Sequence, residues 1–525
     1  MFKSARVCVG LAVSLVAMGL GVGVSHATAD GEWGTFEEVS GLAAVNDAGE
    51  AVVNSLSCGS PGNCSAVGFY RSSAGPQGFV VSQVDGVWET FEDVPGLVAA
   101  NAGNARVTSV SCASPGNCSA VGTYKSGILY QVFVVSQVDG VWDTFEDVPG
   151  LVAANTGGNV NVNSVSCGSV GNCSAGGYYY STDFGTRAFV VSQVDGVWQT
   201  FEDVPGQVLS GSVVMSVSCA SAGNCSAGGY HAADTGYQAF VVSQVAGTWG
   251  TLEDVADLAA VNTGNYSQVN SVSCASAGNC SAGGYYLRDS GPQAFVVSQV
   301  DDVWQTFEDV PGLVAANTGG DSNVMSVSCA SAGNCSAGGH YYTDSGQQAF
   351  VVSQVDGAWQ TFEDVPGLVA VNPGGDSDVR SVSCASAGNC SAGGYYYLND
   401  SGNQAFVVSQ VDGVWQTFED VPGLVAVNIS GNARITSVSC ATAGNCSAGG
   451  IYADANGVQA FVTSISTQVT DPTTTTTVAP TVETTTTLVT NLPATGNNSS
   501  STAVLSLMLV LSGAFVVLGL RCRLS

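Results

Sequence analysis

Sixteen cysteines in eight identical C-x5-C pairs form the most regular set of reactive side chains in this chain. Such a pair can close a disulfide or supply two ligands of a zinc ion. Zinc would need further ligands, and His231 and His340 are the only histidines beyond the N-terminal region. We therefore predict eight local disulfides and no metal site or cofactor. The predicted pairs are Cys58–Cys64, Cys112–Cys118, Cys167–Cys173, Cys219–Cys225, Cys274–Cys280, Cys329–Cys335, Cys384–Cys390 and Cys440–Cys446.

Paired carboxylates are the second regular set, because a Glu-Asp doublet recurs seven times. The doublets lie at 92/93, 146/147, 202/203, 253/254, 308/309, 363/364 and 419/420. Two carboxylates can act as acid and base in glycoside hydrolysis. Seven copies at one position of a repeat favour a solvated structural role instead. The arginines that a glycan-hydrolysing site would need for a substrate carboxylate fall at differing offsets within their units, so no unit stands out as a catalytic site. We predict no catalytic residue and treat the two histidines as turn or strand-end residues.

The C-terminal residues 492–525 have three parts in order. Leu492, Pro493, Ala494, Thr495 and Gly496 precede a polar spacer, an apolar span at 503–520 and a tail with two arginines. An apolar span of about 18 residues can just cross a bilayer, with the arginines on the cytoplasmic side. This order resembles the LPxTG sorting signal of Gram-positive surface proteins. The resemblance implies a membrane-inserted stage, cleavage by sortase after Thr495 and covalent attachment of Thr495 to peptidoglycan; the alternative is an ordinary single-pass anchor.

The segments before the sorting signal predict an exported protein. Residues 1–29 combine Lys3 and Arg6, an apolar run and the small residues Ala27-Thr28-Ala29, as in a cleaved signal peptide. An uncleaved membrane anchor is the alternative. Residues 468–491 are rich in Thr and Pro, which predicts a disordered, extended stalk.

Strong acidity excludes one class of partner. The chain has 11 basic and 41 acidic residues, and removal of both terminal signals would leave seven basic residues and a net charge of −34. Nucleic acids and anionic membranes require basic patches, so we expect neither as a partner. The charge suits a secreted protein kept soluble by self-repulsion.

Residues 30–467 consist of a β-rich repeat. Its eight tryptophans follow one another at intervals of 51 to 56 residues, and each unit has four short strand-like segments bounded by turn residues. Four strands in a repeat of this length indicate a β-propeller. The last unit lacks a tryptophan strand, whereas Trp33–Val39 is such a strand on its own. We predict an all-β, eight-bladed propeller that Trp33–Val39 closes beside Ala460–Ser466, and a monomeric ring.

The third hairpin carries a family resemblance. Ser136-Gln137-Val138-Asp139-Gly140-Val141-Trp142 resembles a degenerate Asp-box of sialidase-like propellers, with the Asp one place later than usual. The Cys-bearing unit is similar to propeller repeats of secreted actinobacterial proteins. Both resemblances concern residues 30–467 and imply a fold without implying a reaction.

Propeller topology predicts one constant and one variable face. The near-identical cysteine loops and Asp-Gly turns should lie on one face, and the links between units with the turns between second and third strands on the other. Tyrosines near the variable loops, with neighbouring Asn, Asp and Ser, suit a recognition surface. The candidate residues are Tyr179, Tyr286, Tyr342 and Tyr396. We expect a non-enzymatic binding or adhesion module for a glycan or a protein at the cell surface; the alternative is a wall-anchored, glycan-acting hydrolase.

Overall fold

A computed structural model describes residues 31–207, 210–372, 374–399 and 401–466. The predicted signal peptide (1–29), stalk (468–491) and sorting signal with its span (492–525) lie outside these residues. Within the part described, no helix is long and apolar enough to cross a membrane.

The described chain forms eight antiparallel blades, each with four strand positions, as the repeat predicts. The inner strands are Ala51–Ser60, Ala105–Ser114, Val160–Ser169, Val213–Ser221, Ser267–Ser276, Ser322–Ser331, Ser377–Ser386 and Arg434–Thr442. The second strands are Asn63–Ser72, Asn117–Ser126, Asn172–Ser181, Asn224–Ala233, Asn279–Arg288, Asn334–Thr343, Asn389–Leu398 and Asn445–Asp454. The third strands are Gly75–Val84, Leu129–Val138, Gly185–Val194, Gly236–Val245, Gly291–Val300, Gly346–Val355, Gly402–Val411 and Gly457–Ser466. Blades 1 to 8 are numbered in the order of their inner strands.

The outer strand of each blade is split into two pieces of two residues. The first pieces are Val87–Trp88, Val141–Trp142, Val197–Trp198, Thr248–Trp249, Val303–Trp304, Ala358–Trp359, Val414–Trp415 and, in blade 8, Glu32–Trp33. The second pieces are Glu92–Asp93, Glu146–Asp147, Glu202–Asp203, Glu253–Asp254, Glu308–Asp309, Glu363–Asp364, Glu419–Asp420 and, in blade 8, Glu37–Glu38. The strand breaks because the backbone N–H between the pieces donates to the preceding link, as Phe145 does to the carbonyl of Pro95 at 3.2 Å.

Short helical turns occupy several links between blades. They are the α-helices Leu97–Ala100, Leu151–Ala154, Leu313–Ala316 and Leu368–Val371 and the 3-10 helices Leu42–Ala44 and Leu258–Ala260. The residue before each turn has a positive φ, and it is glycine except at Asp257. Each of these turns contributes a buried leucine, such as Leu97 and Leu151, to the apolar cluster between two blades.

The Asp-Gly turns have the predicted conformation. Asp85 and Gly86 have φ of 48° and 86°, the left-handed pair that a type I′ hairpin needs. Ala246 and the Asp301-Asp302 pair keep positive φ where the sequence departs from Asp-Gly. The surrounding strands therefore impose the turn even on residues that adopt it less readily.

Hydrogen bonds between inner strands link the blades into a ring. Neighbouring inner strands contact one another, and two serine hydroxyls of each blade accept backbone N–H bonds from the next. Ser55 accepts from Val110 at 3.2 Å, and Ser57 from Cys112 at 2.9 Å. The serines of the repeated S-x-S-C segment thus satisfy N–H groups on an edge that has no further strand.

Ring closure occurs where the sequence predicts it. Trp33 pairs with Ile465, and Glu37 with Val462. The serine hydrogen bonds cross the same boundary, since Leu56 N–H donates to Ser437 Oγ at 3.0 Å. The N-terminal strand therefore completes blade 8, and the hydrogen-bonding pattern runs through all eight blades.

Eight disulfides staple the hairpins between the inner and second strands, as predicted. Every C-x5-C pair is bonded, with S–S distances of 2.03–2.09 Å and Cα–Cα separations of 3.9–4.0 Å. The two cysteines of a pair face each other in register, as Cys58 and Cys64 do.

Candidate functional site

The two faces of the ring differ in the way the sequence predicts. Turns from inner to second strand and from third to outer strand lie on one face, which we call the constant face. Turns from second to third strand and the links between blades lie on the other, the variable face. Each inner strand therefore starts at the variable face and ends at the constant face.

Two positions of the inner strand, six and four residues before its first cysteine, change from blade to blade. The intervening position is Val or Ile, and the next three are Ser, Val or Leu, and Ser. The outer of the two variable layers contains Val52, Arg106, Asn161, Val213, Gln268, Asn323, Asp378 and Arg434. The deeper layer contains Asn54, Thr108, Asn163, Met215, Asn270, Met325, Arg380 and Thr436. We call these layers, with the side chains directly around them, the axial mouth.

A β-bulge positions the deeper layer. In blade 5, Val269 pairs with Gly284 and Ser271 with Gly283, so Asn270 is the additional residue. The same irregularity recurs in every blade. A bulge changes the direction of a side chain and is frequent beside functional sites. Asn270 donates to Asn323 Oδ1 at 2.7 Å, which joins the mouth across two blades.

Four tyrosines pack together at blades 4 and 5. This tyrosine cluster consists of Tyr230, Tyr237, Tyr266 and Tyr285, with ring centroids 5.5 to 5.9 Å apart between neighbours. Tyr237 is 39% exposed, and the other three are half-buried. Burial raises the pKa of Tyr230, Tyr266 and Tyr285, so these hydroxyls stay neutral donors and acceptors at physiological pH.

The other part of the mouth is charged. Asp378 is buried in blade 7, where its carboxylate lies 2.8 Å from Arg380 Nε and 3.2 Å from His340 Nδ1. Arg106 of blade 2 stacks over the ring of Phe69 in blade 1, with its guanidinium carbon 3.9 Å from the centroid. Arg434 lies at the equivalent position of blade 8.

Three of the four predicted ligand-face tyrosines are buried, which corrects that prediction. Tyr179, Tyr286 and Tyr396 are 5%, 0% and 4% exposed, and their hydroxyls donate to Asp203, Asp309 and Asp420 at 2.7–2.9 Å. Tyr342 is half-buried and donates to Gln347 at 2.8 Å. The first three rings stabilise the blades and offer no surface to a ligand.

The residues one place earlier on the second strand surround the mouth instead. They include Tyr178, Tyr230, Tyr285, His340 and Tyr395, and each pairs with an inner strand, as Tyr285 does with Gln268. The blade-to-blade variation of the two inner-strand layers, visible in the aligned repeats, was the sequence signal that could have identified this region.

The Glu-Asp doublets have the structural role that their repetition predicts. The Asp accepts from an aromatic side chain of the second strand, and in blade 4 His231 Nε2 takes the tyrosine's place, 2.5 Å from Asp254. In blade 8, Tyr452 donates to Glu38 of the N-terminal strand. Among the described residues, no group of three or more His, Cys, Asp or Glu side chains is placed to hold a metal ion.

Small pockets also lie between blades on the constant face. A pocket of about 290 Å³ lies between blades 2 and 3, and Gln193, Trp198 and Asp143 are among its lining residues. Pockets of about 280 and 250 Å³ lie between blades 7 and 8 and between blades 3 and 4. Because their lining comes from the constant part of the repeat, we regard the axial mouth as the more specialised site.

Comparison with known proteins yields similarities of fold. No family model matches the chain, and no curated protein matches it. Sqt1 of Chaetomium thermophilum, in a crystal structure with the N-terminus of ribosomal protein L10, is 11% identical over 81% of this chain and 99% of its own, with a TM-score of 0.46. The Trypanosoma rangeli sialidase in complex with sialic acid is 10% identical over 67% of this chain and 52% of its own, with a TM-score of 0.34. The subtype N11 neuraminidase-like protein of A/flat-faced bat/Peru/033/2010 is 12% identical over 68% of this chain and 86% of its own, with a TM-score of 0.33.

Proposed function

We propose that this protein is an exported, wall-anchored binding module that holds a saccharide non-enzymatically at its axial mouth. The observation that carries the proposal is the tyrosine cluster, because its rings gather beside the two inner-strand layers that vary between blades. The remainder of the inner strand is nearly invariant from blade to blade and forms the hydrogen-bonded ring. Within the inner strand, variation is therefore restricted to the mouth, as expected for a binding site on a repetitive scaffold.

The chemistry of the cluster suits a saccharide. Tyrosine rings offer apolar faces for the C–H surfaces of a sugar and hydroxyls for its polar edge. Tyr266 donates to Gln268 Oε1 at 2.7 Å, and Tyr266 and Tyr285 stack at an interplanar angle of 22°. These contacts hold the rings in place before a ligand arrives, which reduces the entropy lost on binding.

Wall attachment enters the proposal from the sequence. The predicted order of signal peptide, Thr-rich stalk and sorting signal is that of an exported protein joined to the wall at its C-terminal end. Disulfides agree with an extracellular location, since they persist mainly in oxidising compartments.

Binding of the full chain to an immobilised panel of saccharides and to isolated cell walls tests the proposal. We expect selective binding to a subset of saccharides and a loss of about thirtyfold in affinity for Tyr237→Ala, because removal of a central aromatic contact costs about 2 kcal/mol. Tyr397→Ala is the matched control, since Tyr397 is 42% exposed on the same face and lies outside the cluster. Absence of binding to every saccharide would contradict the proposal.

A glycan-acting hydrolase is the second candidate. Arginines and acids at the mouth favour it, and burial raises the pKa of Asp321 next to His340, as in a carboxyl group that acts as an acid. Against it, both oxygens of Asp378 are engaged by Arg380 and His340. Hydrolysis of aryl glycosides by the wild type, lost in Asp321→Asn, would establish this alternative.

Wall attachment has its own test. In a Gram-positive host with sortase, we expect the wild-type chain to be released by muramidase with a peptidoglycan fragment on Thr495. Thr495→Ala should remain in the membrane fraction or the medium, whereas Ser499→Ala in the spacer should behave as the wild type. A wild-type chain that is extracted by detergent alone and never carries the fragment would refute the sorting signal.

A further inference from the structure

Exposed apolar side chains gather on the variable face at blades 2 and 3, where the second strand turns into the third. Ile128 and Leu129 of blade 2 are 87% and 37% exposed, and Tyr180 and Phe184 of blade 3 are 39% and 64% exposed. In the other six blades, the residues between these two strands are Ser, Ala, Thr, Asp or Asn. Apolar groups at this position are therefore specific to blades 2 and 3, and clustered exposed apolar groups mark contact surfaces.

The link from blade 2 to blade 3 joins these side chains into one surface. Gly158 of the link lies against the Leu129 side chain, and Gly157 lies against the Tyr180 ring, so closely that a side chain on either glycine would collide. The Gly157 N–H donates to the carbonyl of Tyr180 at 3.0 Å, and the carbonyl of Gly158 accepts from the N–H of Tyr130 at 3.2 Å. The backbone of two glycines is therefore all that separates Leu129 from Tyr180.

Phe184 lies at the same boundary between blades 2 and 3. The centroid of its ring is 5.7 Å from the guanidinium carbon of Arg187, whose register partner across the hairpin is Tyr179. Tyr179 packs in the apolar cluster between blades 2 and 3, so this side of blade 3 faces blade 2. Arg187 is itself paired with Asp203 at 3.1 Å, which neutralises its charge beside the ring. We call Ile128, Leu129, Tyr180 and Phe184 the apolar patch.

Two charges of opposite sign flank the apolar patch. Lys125 precedes Ile128 by three residues in blade 2, and the exposed Asp183 directly precedes Phe184 in blade 3. Within the part of the chain that the structure describes, neither side chain takes part in an ion pair. The surface therefore carries a cation on the blade 2 side and an anion on the blade 3 side, with the apolar groups next to both.

A surface of this kind is complementary to itself. When a second copy approaches after a rotation of half a turn, the blade 2 turn of one copy faces the blade 3 turn of the other, so Lys125 of each copy meets Asp183 of the other. The apolar side chains then face one another and lose their contact with water. Salt screens charges beyond about 8 Å, so these local ion pairs outweigh the net negative charge that would otherwise keep two copies apart.

We propose that the apolar patch is a weak contact between two copies of this chain, related by a twofold axis. This inference goes beyond the proposed function and is independent of the axial mouth. The ring predicted to be monomeric stays complete in each copy, and the few side chains of the patch make a contact of the small, transient class. Many such contacts act together when many copies share one surface, as adhesion between surfaces requires.

Aggregation of beads coated with the full chain tests the inference, because a dense coating makes a weak contact measurable. We expect wild-type beads to aggregate. Ile128→Asn and Phe184→Ser should each reduce the aggregated fraction at least fivefold, because they replace an apolar contact by a polar group. Ile429→Asn is the matched control and should leave aggregation unchanged, since Ile429 is 68% exposed on the same face in the link between blades 7 and 8. Wild-type beads that stay dispersed would overturn the proposal.

An exchange of charges tests the twofold arrangement. Lys125→Asp beads and Asp183→Lys beads should each stay dispersed, because like charges meet across the axis. A mixture of the two should form mixed aggregates, because opposite charges meet again at both positions. Asp344→Lys is the matched control, since it makes the same change in the equivalent turn of blade 6 and should aggregate as the wild type does.

Melting temperature and the absence of free thiols verify that each variant is folded. If the folded charge variants failed to form mixed aggregates, or if each alone aggregated as the wild type does, the twofold contact would be wrong.

Discussion

At the scale of residues, the hydrogen bond between a second-strand tyrosine and an outer-strand acid recurs around the ring. Tyr70, Tyr124 and Tyr341 donate to Asp93, Asp147 and Asp364 at 2.7–2.9 Å. The tyrosine ring packs edge-on against the outer-strand phenylalanine, as Tyr124 does against Phe145 at 5.3 Å. Each pair therefore holds the outer strand, which is short and split, onto its blade.

We predict that these pairs make the ring sensitive to alkali. Burial and the hydrogen bond to Asp203 raise the pKa of Tyr179 from 10.0 to about 12, despite the opposing effect of Arg187. The folded state therefore keeps the protonated hydroxyl to a higher pH than the unfolded chain does. The stabilising contribution is complete below pH 10 and is lost as the pH rises to about 12.

Tyr179→Phe should lower the free energy of unfolding by about 1 kcal/mol at neutral pH and reduce its decline between pH 10 and 12. Denaturant unfolding across this pH range measures both effects. Tyr180→Phe is the neighbouring control, since Tyr180 is 39% exposed. An unchanged alkaline decline in Tyr179→Phe would show that the hydroxyl does not contribute.

At the scale of elements, the inner strand combines two roles in its nine or ten residues. Its first part contains the bulge and the variable layers of the mouth, whereas its second part contains the serines and the first cysteine. Ser111 accepts from the N–H of Cys167 in the next blade at 3.0 Å. The disulfide and the serine bonds stabilise the strand independently of the residues at the mouth, so those residues can vary.

We predict that Ser111→Ala destabilises the ring by about 1 kcal/mol, because the N–H of Cys167 loses its acceptor. The shift of the urea midpoint measures the effect. Ser73→Ala, in an exposed turn, should leave the midpoint within error. If both variants had the same midpoint, the serine bonds would not contribute to stability.

At the scale of the whole molecule, closure depends on a pairing between opposite ends of the chain. Trp33 is 4% exposed and packs in the apolar cluster between blades 7 and 8, whereas Val39 packs in the cluster between blades 8 and 1. Gln83 Nε2 donates to Ser464 Oγ at 3.2 Å across the same boundary. Without the N-terminal strand, blade 8 would expose the edge of its third strand.

We predict that Glu37→Cys with Val462→Cys forms a disulfide, because these residues are register partners and a disulfide accepts Cα atoms about 5.5 Å apart. Peptide mapping of the oxidised protein identifies the bond. Val80→Cys with Glu92→Cys, the equivalent pair within blade 1, is the control that forms whether or not the ring is closed. Formation of the control bond alone would show that the ring is open.

Much of the architecture follows from the sequence because it depends on local or repeated features. A tight turn between two cysteines six residues apart brings their side chains together on adjacent strands. The Asp-Gly turns in the same way specify the hairpins that contain them. The incomplete last unit and the isolated Trp33–Val39 segment complement each other, so closure could be inferred from the pattern alone. The hydrogen bonds of the inner-strand serines to the next blade appear only in the structure.

The position of the candidate site was decided by the tertiary structure. Successive residues of a strand point to opposite faces, so a shift of one residue separates Tyr286, which is fully buried, from half-buried Tyr285 at the mouth. The sequence determined by itself that tyrosines cluster near the ends of the second strands. Which of two adjacent tyrosines is covered depends on the neighbouring blade and on the carboxylate that accepts a hydrogen bond from its hydroxyl. The neighbouring blade and the carboxylate come together around the tyrosine only when the ring forms.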